Sequence, residues 1–294
     1  MKEQDEWNLL AELKNKLIEI ERKRGNCLKD DDFGSVRWEK SEKKEFYFYD
    51  LRKNLFEIPN KTISLGTGVE AIRSSAAMIF NTLGQGSVIF NGEKYNTPKY
   101  EQEFTAIIDD DKKEHNAHLD AVLYSADEKD MIAIEAKMLE WINSPKNLHK
   151  AYVSKENYVS ENKKREVFIN FFNLLKTNTV DRNNRFIHKT ERYDSVQMTI
   201  HILALYNYCC TKVDSVPKNI KLLNVVWNYD CEDYKIEEKE GNEFVKKANE
   251  AFAPLFTELG VDFSIEYTSY SEFIKSLTLS PERSAYLGRY MIQQ

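Results

Sequence analysis

A chain of 294 residues is long enough for one large α/β domain with a substantial core. Hydrophobic residues make up 41% and charged residues 31%, a soluble globular balance, and no run of about 18 apolar residues marks a transmembrane helix. The acidic N-terminus, Met1 to Trp7, has no apolar core of the kind a secretory signal needs. Cys27, Cys209, Cys210 and Cys231 lack C-x-x-C spacing, and Cys209 and Cys210, after an apolar helical run, read as buried thiols, so a reducing cytoplasm is expected.

The formal net charge is −6, an unfavourable sign for a nucleic-acid binder. It is unevenly spread: residues 146–192 hold eleven Lys/Arg against five Asp/Glu, a local +6 that leaves −12 for the rest. A basic segment can track phosphates on an acidic protein, and it can equally be the solvated face of helices.

In chain order, Trp7, Leu10, Leu13, Leu17 and Ile20 recur at helical spacing and predict an amphipathic helix over 4–24, closed by Gly25-Asn26. Residues 27–45 read as a polar loop, and the aromatic run from Phe46 to Phe56 as a short ordered segment. Val69 to Leu83 predicts a helix ending at Gly84, with Ser74, Ser75, Ala76 and Ala77 small enough for close packing on a sheet. Gly66-Thr67-Gly68 before it lacks the Gly-Lys-Ser/Thr of a phosphate loop.

Strands are expected at 102–108, 118–125 and 131–138, joined by the turn-like 109–113 and 126–130 into an antiparallel meander. The last two carry Asp120, Glu135 and Lys137 within apolar runs. Strand side chains alternate faces, so Glu135 and Lys137 point together, away from Ile134, Ala136 and Met138. Charges in a sheet core cost free energy unless paired or bound to an ion. The chain has six E-x-K triplets, beginning at Glu12, Glu21, Glu42, Glu135, Glu161 and Glu237. Only Glu135 sits on an apolar strand just after an Asp-bearing one.

Phe168 to Leu175 carries a helical pattern, and Tyr152, Tyr158 and Tyr193, interleaved with Lys and Arg, would either stack on bases and pair phosphates or belong to an ordinary helical insertion. A helix from Ser195 to about Cys210 sets Gln197 and His201 one turn apart. Lys221 to Asn228 predicts a fourth strand, parallel to the sheet after the helical crossover. A helix over 242–259, a strand over 261–267 and two short helices follow. The fold class is therefore α/β, a mixed central sheet flanked by helices. One domain, 1–294, is expected, with 1–45 a helical extension and 231–294 a C-terminal α/β extension.

The Asp120…Glu135-Ala136-Lys137 spacing resembles the signature of the PD-(D/E)XK nuclease superfamily, with Leu119 where the pattern usually has Pro. Together with the Ser74-to-Asn81 helix and the Ile134-to-Trp141 strand end, it is similar to a bacterial restriction-endonuclease-like group, the PGN_0703-like family, over roughly residues 37 to 230. The resemblance implies a restriction-endonuclease-like core. It makes Asp120, Glu135 and the Ala136 main-chain carbonyl ligands of Mg2+, with Mn2+ as a substitute, and Lys137 the catalytic lysine. It also implies a supporting carboxylate, Glu70 or Glu103, a phosphate-facing Gln197, and a supporting role for Glu140. The function so implied is a Mg2+-dependent endodeoxyribonuclease of restriction, defence or repair type. Its partner would be double-stranded DNA, it would form a homodimer by analogy, and no membrane is involved. The alternatives are a catalytically inactive nucleic-acid-binding or assembly module of the same fold, and a nuclease acting on RNA.

Overall fold

A computed structural model describes residues 74–139, 147–183, 185–212 and 215–291, with short pieces between 8 and 63. Of the expected N-terminal helix, positions 8, 9, 12, 13, 15, 16 and 19 are helical, and Leu13 is buried against the core. Glu70, Glu140 and Trp141 lie outside the described residues.

Five strands form the central sheet: β3 (Lys99–Ile108), β4 (Glu114–Tyr124), β5 (Asp130–Lys137), β9 (Asn219–Val226) and β10 (Asp262–Ser269), in the order β10-β9-β5-β4-β3. The β3-β4-β5 meander is antiparallel, and β5-β9 and β9-β10 are parallel. Parallel neighbours need long crossovers. The first contains helices α2 (Arg165–Leu175) and α3 (Ser195–Thr211), and the second is helix α4 (Glu232–Thr257). The mixed sheet is thus the expected one, and β10 makes the segment after residue 231 part of it.

Each face of the sheet buries its own apolar layer. Val196, Met198, Ile202, Phe244, Phe252 and Phe256 of α3 and α4 pack on one face with Val122, Ala133, Leu222 and Ile265. On the other, helix α1 (Ser75–Leu83) contributes Met78, Ile79 and Phe80 to a layer with Leu123, Ile134, Val225 and Trp227. Helices α5 (Tyr270–Lys275) and α6 (Pro281–Leu287) supply Tyr270, Phe273 and Leu287 to that same layer. Helix α1 starts where the Ser74 hydroxyl accepts the Ala77 amide and stops at Gly84, whose φ of +72° suits glycine.

Helix α4 begins ten residues before the expected 242. Gly241 ordinarily weakens a helix by roughly 1 kcal/mol. Here it is what lets α4 approach β10, because a Cβ at 241 would lie 2.5 Å from Tyr267 Cδ2. Two small sheets, invisible to local patterning, complete the fold: β1 (Val88–Phe90) with β2 (Glu93–Tyr95), and β6 (Asn147–Leu148), β8 (Phe186–His188) and β7 (Lys176–Val180) in that order. Of the two readings of Tyr152, Tyr158 and Tyr193, the one in which their rings are offered to bases is overturned. They are 7%, 5% and 1% exposed, and their rings fill the core beneath α2 and α3.

Candidate active site

The antiparallel register pairs Ala121 with Ile134, so the next step outward sets Asp120 across from Glu135. Residues facing each other in a ladder project to the same side. Val122 and Ala133, two residues from each, belong to the layer under α3, so both carboxylates lie on that face. Asp120 Oδ2 accepts the Ala136 amide at 2.7 Å. Because the N–H and C=O of a strand residue point to the same neighbour, the Ala136 carbonyl is directed toward β4 as well.

Glu135 is 4% exposed and heavily partnered. Its Oε1 accepts Lys137 Nζ at 2.6 Å and Gln197 Nε2 at 2.8 Å. Its Oε2 lies 3.3 Å from Nε2 of His201, itself 2% exposed. Gln197 reaches the site because α3 starts there: Asp194 caps the helix by accepting the Gln197 amide at 3.0 Å, which fixes Gln197 in the first turn. His201, four residues on, falls on the same face. From β9, Asn224 stands beside Glu135 in the parallel register and donates from Nδ2 to the Glu135 carbonyl at 3.2 Å. The sheet and one helix thus bring together Asp120, Glu135, Lys137 and Gln197, all read from the sequence as site residues.

Electrostatics divides the two acids. Burial and then the negative charge of Glu135 push the Asp120 carboxyl well above its ordinary range, against the Ala136 amide and Lys137. Burial acts the same way on Glu135, but the Lys137 ammonium and His201 outweigh it and hold Glu135 at about 2. The facing pair therefore resists carrying two negative charges at once, and its repulsion raises Asp120.

A third carboxylate joins the row. Tyr100 pairs with Ala121 and Gln102 with Leu119, which sets Glu101 opposite Asp120 on its other side. Glu101 has a left-handed φ of +48°, a conformation costing a non-glycine residue about 1–3 kcal/mol. Its carboxyl is raised by burial, with Glu135 and Glu103 adding to the shift against His118. Glu103, expected as an extra acid, instead lies at the surface, 3.5 Å from His118 and hydrogen-bonded to Asn116. Glu101 had no sequence signal of its own, being one of two acids two residues apart on a half-exposed strand.

Beside Lys137, a recess lined by Arg192, Tyr193, Asp194, Met198, Asn224 and Glu237 opens toward α3 and α4. Its wall is held by Glu240 of α4, whose carboxylate accepts the amides of Glu191, Arg192 and Tyr193 at 2.8–2.9 Å.

Among the described residues no three His, Cys, Asp or Glu side chains converge into a preformed metal cage. The donor set still suits a hard cation. Mg2+ takes oxygen ligands, keeps several waters and needs few carboxylates, and a cation held by Asp120 and Glu135 would relieve the repulsion that raises the Asp120 carboxyl. No family model matches the chain, and neither a curated protein nor a solved structure matches it. No described helix is long and apolar enough to cross a membrane.

Proposed function

We propose that this chain is a Mg2+-dependent endonuclease with a restriction-endonuclease-like core, hydrolysing phosphodiester bonds of double-stranded DNA. One observation carries the reading. Two carboxylates face each other across β4 and β5 with an ammonium and a side-chain amide already committed to one of them.

Asp120, Glu135 and the Ala136 carbonyl would hold the ion. Bound there, Mg2+ would polarise a phosphoryl oxygen and lower the pKa of a coordinated water. Asp120 must give up its proton to serve as a ligand, so occupancy and the ionisation of Asp120 are linked. Lys137 supplies a fixed positive charge next to Glu135, which orients an attacking water and offsets negative charge developing at phosphorus. Paired with Glu135 at 2.6 Å, it acts by electrostatics. Gln197 holds Glu135 Oε1 on one rotamer, and Asn224 ties the backbone of β5 to β9 beneath it.

The test is incubation of the full chain with plasmid DNA and Mg2+, with EDTA as control and labelled RNA in parallel. Nicking or linearisation that needs Mg2+ and disappears in Asp120→Ala and Lys137→Ala is expected. Cleavage that survives both substitutions, or that is confined to RNA, overturns the proposal.

A further inference from the structure

The helix that carries Gln197 is tied at its start to an appendage that the chemistry does not use. Strands β7 and β8 form a hairpin closed between Asp181 and Arg185 by the Asp181 amide, which donates to the Arg185 carbonyl at 2.8 Å, and by the Asp181 carboxylate. Asp181 Oδ1 accepts the amides of Asn183 and Arg185 at 2.9 and 2.8 Å, and Oδ2 takes Arg185 Nε at 3.1 Å. Asn147 adds a bond to Oδ2 at 3.2 Å. The tip is thus pre-organised, and the only acid in the hairpin is spent within it.

Residues 176–189 hold Lys176, Arg182, Arg185 and Lys189 against Asp181, a local +3 that leaves −9 for the rest of the chain. Arg182 and Lys189 are exposed and make no ion pair among the described residues. Lys176 lies with Nζ 4.0 Å over the Phe186 ring, which holds its charge at the hairpin's base.

The base is pinned to the site. His188 Nε2 lies 2.9 Å from the hydroxyl of Ser195, the first residue of α3, and Thr190 donates to the Tyr193 carbonyl at 2.6 Å. Two residues beyond Ser195, Gln197 touches Glu135. Three side chains therefore connect the end of β8 to the buried carboxylate.

We infer that the β7–β8 hairpin is a duplex-DNA arm, in which Arg182 and Lys189, with Lys176 behind them, contact phosphates flanking the bond to be cut. The inference rests on the nuclease reading and names the element that would hold its substrate. An acidic body repels a polyanion everywhere except where cations are concentrated, and the arm roots such a concentration, through His188 and Ser195, on the helix that carries Gln197. A two-stranded ribbon fits the major groove of B-form DNA, whereas the deep, narrow major groove of A-form RNA excludes it. A second copy docking arm to arm through Val180 and Ile187, 44% and 40% exposed, would bring two +3 segments together. Like-charge repulsion disfavours that contact.

The experiment compares the full wild-type chain with Arg182→Ala/Lys189→Ala by fluorescence anisotropy on a labelled DNA duplex, in EDTA, between about 50 and 200 mM salt. Loss of two phosphate contacts should make the slope of log affinity against log salt shallower by about 1.8 and weaken binding. Arg182→Lys/Lys189→Arg should restore both, and thermal unfolding should be unchanged in either variant. In Mg2+ the alanine variant should raise KM with kcat kept. Equal slopes and affinities in wild type and alanine variant overturn the inference, as does tighter binding of duplex RNA. A dimer seen by sedimentation that the alanine pair dissolves, with DNA affinity unaltered, overturns it in favour of self-association. If wild type binds through the arm yet fails to cleave in Mg2+, the arm stands and the nuclease reading falls. If wild type cleaves and the variant binds DNA as wild type does, the arm alone falls.

Discussion

Asp120 and Glu135 stand across from each other on β4 and β5, one ladder step beyond Ala121 and Ile134, and Asp120 accepts the amide of the residue after Glu135. This closeness raises the Asp120 carboxyl. A carboxyl whose folded pKa lies above its unfolded value contributes stability that is full below the unfolded pKa and lost as pH rises through the folded one. Asp120→Asn keeps the shape and an acceptor for Ala136 but removes the charge. Without metal it should therefore unfold at a higher temperature than wild type, the gain growing with pH and vanishing near pH ~4. Cleavage should fall to background. Added Mg2+ should raise the melting temperature of wild type only. A variant less stable than wild type above neutral pH would refute the facing-carboxylate account.

Lys137→Met removes the ammonium that touches Glu135 at 2.6 Å. A single well-placed electrostatic contact in a site of this kind is worth about 10²–10³ in rate. Single-turnover cleavage should fall by that factor. Lys137→Arg should recover only part of it, because the planar fork does not replace a compact point charge. Full activity in Lys137→Met would remove the residue from the reaction.

Gln197→Ala strips one of the two donors from Glu135 Oε1. Loss of a group that orients a metal ligand costs about 10–100-fold in affinity or activity. Titration calorimetry with Mn2+ should show weakening in that range, and more for Gln197→Glu, which sets a like charge beside Glu135. Unaltered Mn2+ affinity in both would leave Gln197 as helix surface.

Glu135 is buried and held at about 2 from an ordinary 4.5. A carboxyl with a depressed folded pKa contributes stability above its unfolded pKa, and that contribution is lost as pH falls through the folded value. Urea unfolding should show wild type losing stability steadily from pH 4.5 toward 2, the window those two values bound. Glu135→Gln should be less stable at neutral pH, since Lys137 loses its counter-charge, and should show a flatter acid limb. Parallel acid limbs in the two proteins would contradict the assignment.

Gly241→Ala tests the packing behind the recess. The added methyl would meet Tyr267 at 2.5 and 2.7 Å and Tyr193 at 3.1 Å. Overpacking of this kind costs about 1–3 kcal/mol, read as a lower urea midpoint with unchanged slope. Stability equal to wild type would mean that α4 shifts freely on β10.

The hairpin of β4 and β5, the parallel return of β9 and the α3 crossover were all legible in the chain, because period-two runs and a helical stripe are local patterns. The same alternation put Glu135 and Lys137 on one face, and helical spacing put His201 one turn from Gln197. What no local pattern carries is which strand lies beside which, or how closely. Glu101 and Asn224 became neighbours of Asp120 and Glu135 only through the ladders of β3 and β9. The burial of Tyr152, Tyr158 and Tyr193 was equally hidden, since a tyrosine among lysines reads alike whether its ring faces water or a helix. Sequence alone determined the strands of the central sheet, the α3 crossover and the candidacy of Asp120, Glu135, Lys137 and Gln197. Tertiary structure alone decided which acids face each other and where the basic hairpin is anchored, because both depend on contacts between segments far apart in the chain.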